Sequence, residues 1–305
     1  MLLCDHYITA RSLDEAFDAM DAHRGGSRIV AGATDTLPWA REGRAGDVHV
    51  PALIDISAIP ELNERRIGPD RVLIGAATPI QRFLDDDALM RAMPAAPHCA
   101  IWFADDQIRA LATVGGNVVN ASPAADVTPC LIAHDAVVEL ALRRDGRIVR
   151  RTEKLASFIR GPGKTGLADG EILLSVTCDA LPGYGGTFEK VGHRRSLVIS
   201  VVCLTVLMKL DPGGRVIEDV RLAIAGVRPI PCRIDAVETA LRGARLSMEA
   251  IENAAAMPLD LVQSRSRQDY RRDVTRGFLT RGLISAAKRA GADPQVFQHR
   301  EAAYA

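Results

Sequence analysis

An α+β protein in two units, joined near residue 182, is the fold class the sequence predicts, and three observations carry it. Residues 1–181 interleave short strand patterns with short helix patterns. After Leu181-Pro182-Gly183-Tyr184-Gly185-Gly186 the pattern turns to long strands followed by helices. Two loops of small residues, Val30-Ala31-Gly32-Ala33-Thr34-Asp35 and the stretch 112–126, interrupt the first unit. At 305 residues the chain has length for one large or two medium domains.

In the first unit, Ser12-Leu13-Asp14-Glu15 is a capping box that opens a helix through about Ala22, with Phe17 and Met20 inward. Residues 27–31 form a short apolar strand running into the first loop. Thr34 or Asp35 can cap the helical turn that follows, which carries Leu37 and Trp39. Residues 52–56 and 72–75 read as strands, and 79–84 and 88–100 as helices. Asp145-Gly146 between 137–143 and 147–150 is a hairpin signal.

In the second unit, 187–191, 198–210 and 216–227 are strand candidates, the last two joined by Asp211-Pro212-Gly213-Gly214. Val220, Leu222 and Ile224 alternate with Arg221 and Ala223, as in a half-buried antiparallel strand. Helices follow at 234–241, 247–255 and 267–290, giving a three-stranded antiparallel sheet with helices added.

Composition narrows the function. Apolar residues make 48% of the chain and charged residues 25%, so disordered and fibrous classes are excluded. Thirty-eight basic residues balance thirty-eight acidic ones, so net charge draws in neither nucleic acid nor an anionic membrane. The basic run 265–276 alternates with acids and has no aromatic platforms, which reads as a solvated helix face. Met1-Leu2-Leu3-Cys4-Asp5-His6 has no basic start, and the longest apolar run, 198–208, is too short to cross a bilayer. A soluble, cytoplasmic protein is expected. Cys4, Cys99, Cys130, Cys178, Cys203 and Cys232 are scattered, and the seven histidines form no i, i+4 pair, so no metal site is expected. No G-x-S-x-G elbow is present, and no catalytic nucleophile is expected.

The small-residue loops carry the chemistry. Gly115 and Gly116 lack a Cβ, so the backbone can turn sharply and approach a bulky ligand. A Gly-Gly pair also occurs in plain turns, but Thr113, Asn117, Asn120, Ser122 and Asp126 give this one a polar rim. Two such loops can cradle a diphosphate from two sides through backbone N–H groups, which points to a dinucleotide. Neither G-x-G-x-x-G nor G-x-x-x-x-G-K-[ST] is present, so the site must use another fold.

Arg28-Ile29-Val30-Ala31-Gly32-Ala33-Thr34-Asp35, paired with Ala112-Thr113-Val114-Gly115-Gly116-Asn117, resembles the FAD-binding medium subunit of the molybdenum hydroxylases. That family includes xanthine and carbon monoxide dehydrogenases. Further matches are Ile74-Gly75-Ala76-Ala77-Thr78, Gln107-Ile108-Arg109, Glu171-Ile172-Leu173 and Phe188-Glu189-Lys190. Gly161-Pro162-Gly163-Lys164-Thr165 leans toward the xanthine dehydrogenase branch. Ala33 stands where many members carry glycine, and its methyl group disfavours positive φ. The Cys-bearing insertion of members with an extra iron–sulfur cluster does not appear.

The resemblance implies an FAD-binding domain of the PCMH (vanillyl-alcohol oxidase-like) type over 1–181, with lobes 1–56 and 57–181. A CO dehydrogenase flavoprotein-like C-terminal domain follows over 182–305. It implies that Arg28 to Asp35 run along the FAD diphosphate, with Thr34 and backbone amides donating, and that Thr113 to Asn117 close the other side. Phe103 packs on adenine or is a core aromatic; Asp126 accepts from an FAD hydroxyl or is a helix-cap acid; Leu173 lines the cofactor. Lys190 lies near the isoalloxazine, where a cation favours the reduced flavin, or is a plain strand lysine.

The partners implied are a large molybdenum-cofactor subunit and a small subunit with two-iron two-sulfur clusters, in a dimer of heterotrimers. Electrons would pass through FAD to NAD or another acceptor. Arg194-Arg195 can face an anionic nicotinamide cofactor or be a surface pair. A stand-alone flavin reductase or oxidase of the same fold superfamily is the alternative, and a nucleotide-binding scaffold without redox chemistry a remoter one.

Overall fold

The computed structural model describes residues 2–194, 198–257, 259–264 and 266–297. The chain begins with a three-stranded parallel sheet in which Ala52–Asp55 lies between His6–Thr9 and Ser27–Val30. Helix Leu13–Ala22 crosses between the outer strands, and Ser12 caps it by accepting from the Glu15 amide at 3.1 Å. Phe17 is buried and Met20 half-buried on its inward side, as the capping box and periodicity predict.

A five-stranded sheet follows, in the order Arg65–Ile67, Arg71–Gly75, Ile172–Asp179, Val137–Arg144, Arg147–Lys154. All its pairings are antiparallel. Asp145 and Gly146 both take positive φ, so the expected hairpin turn forms where two left-handed residues are needed. The central strand Ile172–Asp179 is not predicted from the sequence. It is buried on both faces, so it shows no alternation by which a strand declares itself. The helix expected over 88–100 is two, Asp87–Ala92 and Ala96–Trp102, interrupted around Pro94.

The third sheet pairs Gly185–Val191, Val202–Leu210 and Ile217–Ala225 antiparallel, as expected, and gains a two-residue fourth strand, Cys232–Arg233. Its two faces divide the molecule. Phe188, Cys203, Leu207, Ala223 and Ala225 join the core of the preceding residues, while Leu204, Val206, Met208, Leu222 and Ile224 join a second core with helix Gln268–Arg289. That is the period-two alternation of a sheet covered on both sides. Gly185 and Gly282 allow the helix to lie close: a Cβ on Gly185 would stand 2.0 Å from the Ala286 carbonyl oxygen. Among the described residues, no helix is long and apolar enough to cross a membrane.

Candidate functional site

Strand Ser27–Val30 ends at a cavity of about 800 Å³. Its position follows from the parallel sheet, whose carboxyl ends leave a crevice beyond the last residue. The chain leaves Val30 through Gly32, which touches the opposite wall: a Cβ there would stand 1.9 Å from the Leu111 carbonyl oxygen. Gly115 is as confined, its missing Cβ lying 2.6 Å from the Ala76 methyl group. The glycines at these positions are therefore required by backbone packed on backbone. A Cβ on Gly116 would meet only the Thr113 hydroxyl, at 2.9 Å.

The two walls differ in what they offer a ligand. Thr113 caps helix Val114–Asn120, its hydroxyl accepting from the Gly116 amide at 3.0 Å. The amides of Val114, Gly115 and Asn117 donate to the carbonyls of Thr78, Ala76 and Thr113. Every N–H at the start of this helix already has an acceptor, so this wall does not offer the free amides that a cradle from two sides would need. In the first loop the amides of Ala31, Gly32, Ala33, Thr34, Asp35 and Thr36 have no acceptor among the described residues. Ala33 holds φ at +52°, the left-handed conformation glycine adopts freely, so its methyl group leaves the loop's shape unchanged.

Asp35 stands at the N-cap of helix Thr36–Arg41 but makes no capping bond with its side chain. It accepts instead from Asn120 Nδ2 at 3.1 Å, tying the first wall to the second across 85 residues of sequence. Partial burial raises its carboxyl above its ordinary value. Glu171, another acid in the lining, is held by Arg151 through two contacts of 2.6 Å, which lower its pKa.

Of the sequence-predicted site residues, Ile29, Val30, Ala31, Gly32, Ala33, Thr34, Asp35, Phe103, Thr113, Gly115, Gly116, Asn117 and Leu173 line the cavity. Phe103 is half-buried, packing on the main core as well as lining the cavity, which bears out the core reading and leaves it a face toward the cavity. Four predicted residues stand elsewhere. Arg28 turns away to Asp47 and the Gly46 carbonyl. Val114 is fully buried in the core. Asp126 and Lys190 face each other at 2.6 Å, with Ser200 also donating to Asp126, so neither is in the lining. Burial raises the Asp126 carboxyl against the pull of Lys190. Arg195 lies outside the described residues.

Trp39, Arg44, Ala76, Ala77, Pro162 and Gly163 are in the lining although the sequence reading gives them no site role. The small-residue run Ile74-Gly75-Ala76-Ala77-Thr78 was the available signal for two of them. Among the described residues, no three His, Cys, Asp or Glu side chains are grouped to hold a metal ion.

Known proteins resemble this chain along most of its length. Residues 3–178 match the model of the FAD binding domain in molybdopterin dehydrogenase, and 187–286 that of the CO dehydrogenase flavoprotein C-terminal domain. The xanthine dehydrogenase FAD-binding subunit of Escherichia coli O157:H7 is 30% identical over 85% of this chain and 87% of its own length. The glyceraldehyde dehydrogenase medium chain of Sulfolobus acidocaldarius is 28% identical over 88% of this chain and 94% of its own. The solved carbon monoxide dehydrogenase of Hydrogenophaga pseudoflava superposes with a TM-score of 0.84, covering 95% of this chain and 99% of that one at 26% identity. The shared fold is an FAD-binding domain followed by a C-terminal domain of antiparallel sheet and helices. The chain belongs to the FAD-binding medium-subunit family of the molybdenum hydroxylases, a family of oxidoreductases.

Proposed function

We propose that this chain holds FAD in the cavity beyond Val30 and serves as the electron-transfer subunit of a molybdenum hydroxylase complex. The observation that carries the reading is the row of unclaimed amides from Ala31 to Thr36 on the wall of a cavity of dinucleotide size. These donors, with the Thr34 hydroxyl, bind the diphosphate. Phe103, Leu173 and Ile199 supply apolar surface that excludes water from the rings. Asn120 and Asp35 hold the two walls at a fixed separation. FAD, when bound, supplies the reversible exchange of one or two electrons.

The same reading places two-iron two-sulfur clusters on a small partner subunit and the molybdenum cofactor on a large one, in a cytoplasmic dimer of heterotrimers. Electrons leave this subunit for NAD or another acceptor. Folded protein mixed with FAD should gain the absorbance of bound flavin and keep it through gel filtration. Folded protein that retains none would overturn the reading. Reduction of the loaded protein followed by addition of NAD or oxygen identifies the acceptor by return of the oxidised spectrum.

A further inference from the structure

We propose that Arg44 is the counter-cation of the dinucleotide's diphosphate; this rests on the FAD reading and extends it to a residue outside both small-residue loops. Arg44 is the one basic side chain in the cavity lining among the described residues. It follows helix Thr36–Arg41, in a turn bracketed by Gly43 and Gly46, whose φ values are +73° and +81°.

The turn fixes Arg44 at both ends of its peptide unit. Its amide donates to the Trp39 carbonyl at 3.0 Å, and its own carbonyl accepts from the Asp47 amide at 3.0 Å. The guanidinium is fixed as well. It stacks 4.2 Å above the Trp39 ring, with Nε 3.2 Å from the Asp47 carboxylate. A planar cation held by an aromatic face loses little freedom when it meets a phosphate, and its fork matches phosphate oxygens.

The local charge count favours an anion. Asp47, nearly buried, is shared between Arg44 and Arg28, so two guanidinium groups face one carboxylate. One positive charge is left over at that turn. Arg151 neutralises Glu171, whereas Asp35, bonded only to the neutral Asn120, keeps its own charge at the other end of the loop, so the surplus belongs to the turn that carries Arg44. The backbone amides of the first loop supply partial charges only, whereas a diphosphate brings full ones. Arg44 is 57% exposed, so its attraction is screened by salt.

The test is FAD titration of the purified full-length chain, followed by quenching of flavin fluorescence at low and high ionic strength. Arg44→Gln should weaken FAD binding by about tenfold at low salt and clearly less at high salt. Arg44→Lys should lose part of this affinity at low salt, because the ammonium keeps the charge but not the stacked, forked plane, and lysine affinity equal to that of the parent chain would count against the role. Circular dichroism checks that each variant is folded, and the lysine variant keeps the test decisive if the glutamine variant is not. Equal affinity of Arg44→Gln and the parent chain, or a loss that salt does not reduce, would overturn the role of Arg44 alone. Failure of the parent chain to bind FAD would overturn the reading beneath it.

Discussion

Lys190 donates to Asp126 at 2.6 Å, and the pair joins strand Gly185–Val191 of the C-terminal sheet to the start of helix Val127–Ala133. The two side chains are only 4% and 10% exposed. Lys190 also donates to the Trp102 carbonyl at 3.1 Å, so its ammonium reaches two segments of the FAD-binding domain at once. The pair stands behind the cavity: Phe103 and Ile199, the chain neighbours of Trp102 and Ser200, are in the lining. Its place suits a clamp between domains better than a contact to the cofactor.

Lys190→Met should therefore act first on folding. It leaves Asp126 buried beside Ser200 without its cation, a change that costs about 3–5 kcal/mol when a buried pair is broken on one side. Adding Asp126→Asn should restore a large part of that loss, because no charge is then stranded. Urea unfolding of the two variants and the parent chain checks this; a double variant no more stable than Lys190→Met would contradict the clamp.

The distinction between loop and clamp also marks what was legible in the sequence. Gly32, Ala33, Gly115 and Thr113 announce themselves because each sits in a run of small or capping residues contiguous in the chain. The pairing of Asp126 with Lys190 spans 64 residues and depends on how the third sheet packs, which no local pattern encodes. Arg44 reaches the cavity only through the turn at Gly43 and Gly46, with Trp39 on the short helix before it, and arginine and tryptophan there look like ordinary surface. Helices Asp106–Leu111, Val114–Asn120 and Val127–Ala133 are too short for a 3.6-residue period to emerge. The capping box at Ser12 and the Asp145-Gly146 hairpin were legible because their geometry is decided by neighbouring residues alone.

Ala33 offers a change that should increase stability. At φ +52° an alanine carries a left-handed penalty of about 1–2 kcal/mol that glycine avoids, partly offset by the greater freedom glycine has when unfolded. Ala33→Gly should raise the free energy of unfolding by about 0.5–1 kcal/mol. FAD affinity should be kept, since the loop already adopts the glycine-like conformation. A lowered denaturant midpoint would show that the methyl group contributes packing that outweighs the backbone cost.

His134 sets a pH limit on folding. It is fully buried, with Nδ1 bonded to the Asp179 carbonyl oxygen at 3.0 Å and Nε2 without a partner among the described residues. Nδ1 must be the protonated nitrogen of the neutral ring, because a carbonyl can only accept. Burial lowers its pKa to about 4, with the positive charges of Arg221 and Arg233 adding to the effect and Asp179 opposing it. In the unfolded chain the group titrates near the ordinary value of about 6.5. Between these two values the unfolded state binds a proton that the folded state refuses. Stability contributed by the neutral ring is therefore complete above about pH 6.5 and is lost as pH falls toward 4, by up to about 1.4 kcal/mol per unit. His134→Asn keeps a donor near the position of Nδ1 and does not titrate. Its unfolding free energy should fall less steeply than that of the parent chain across this window. Parallel slopes for the two proteins in urea titrations at pH 7, 6, 5 and 4.5 would show that His134 does not carry the effect.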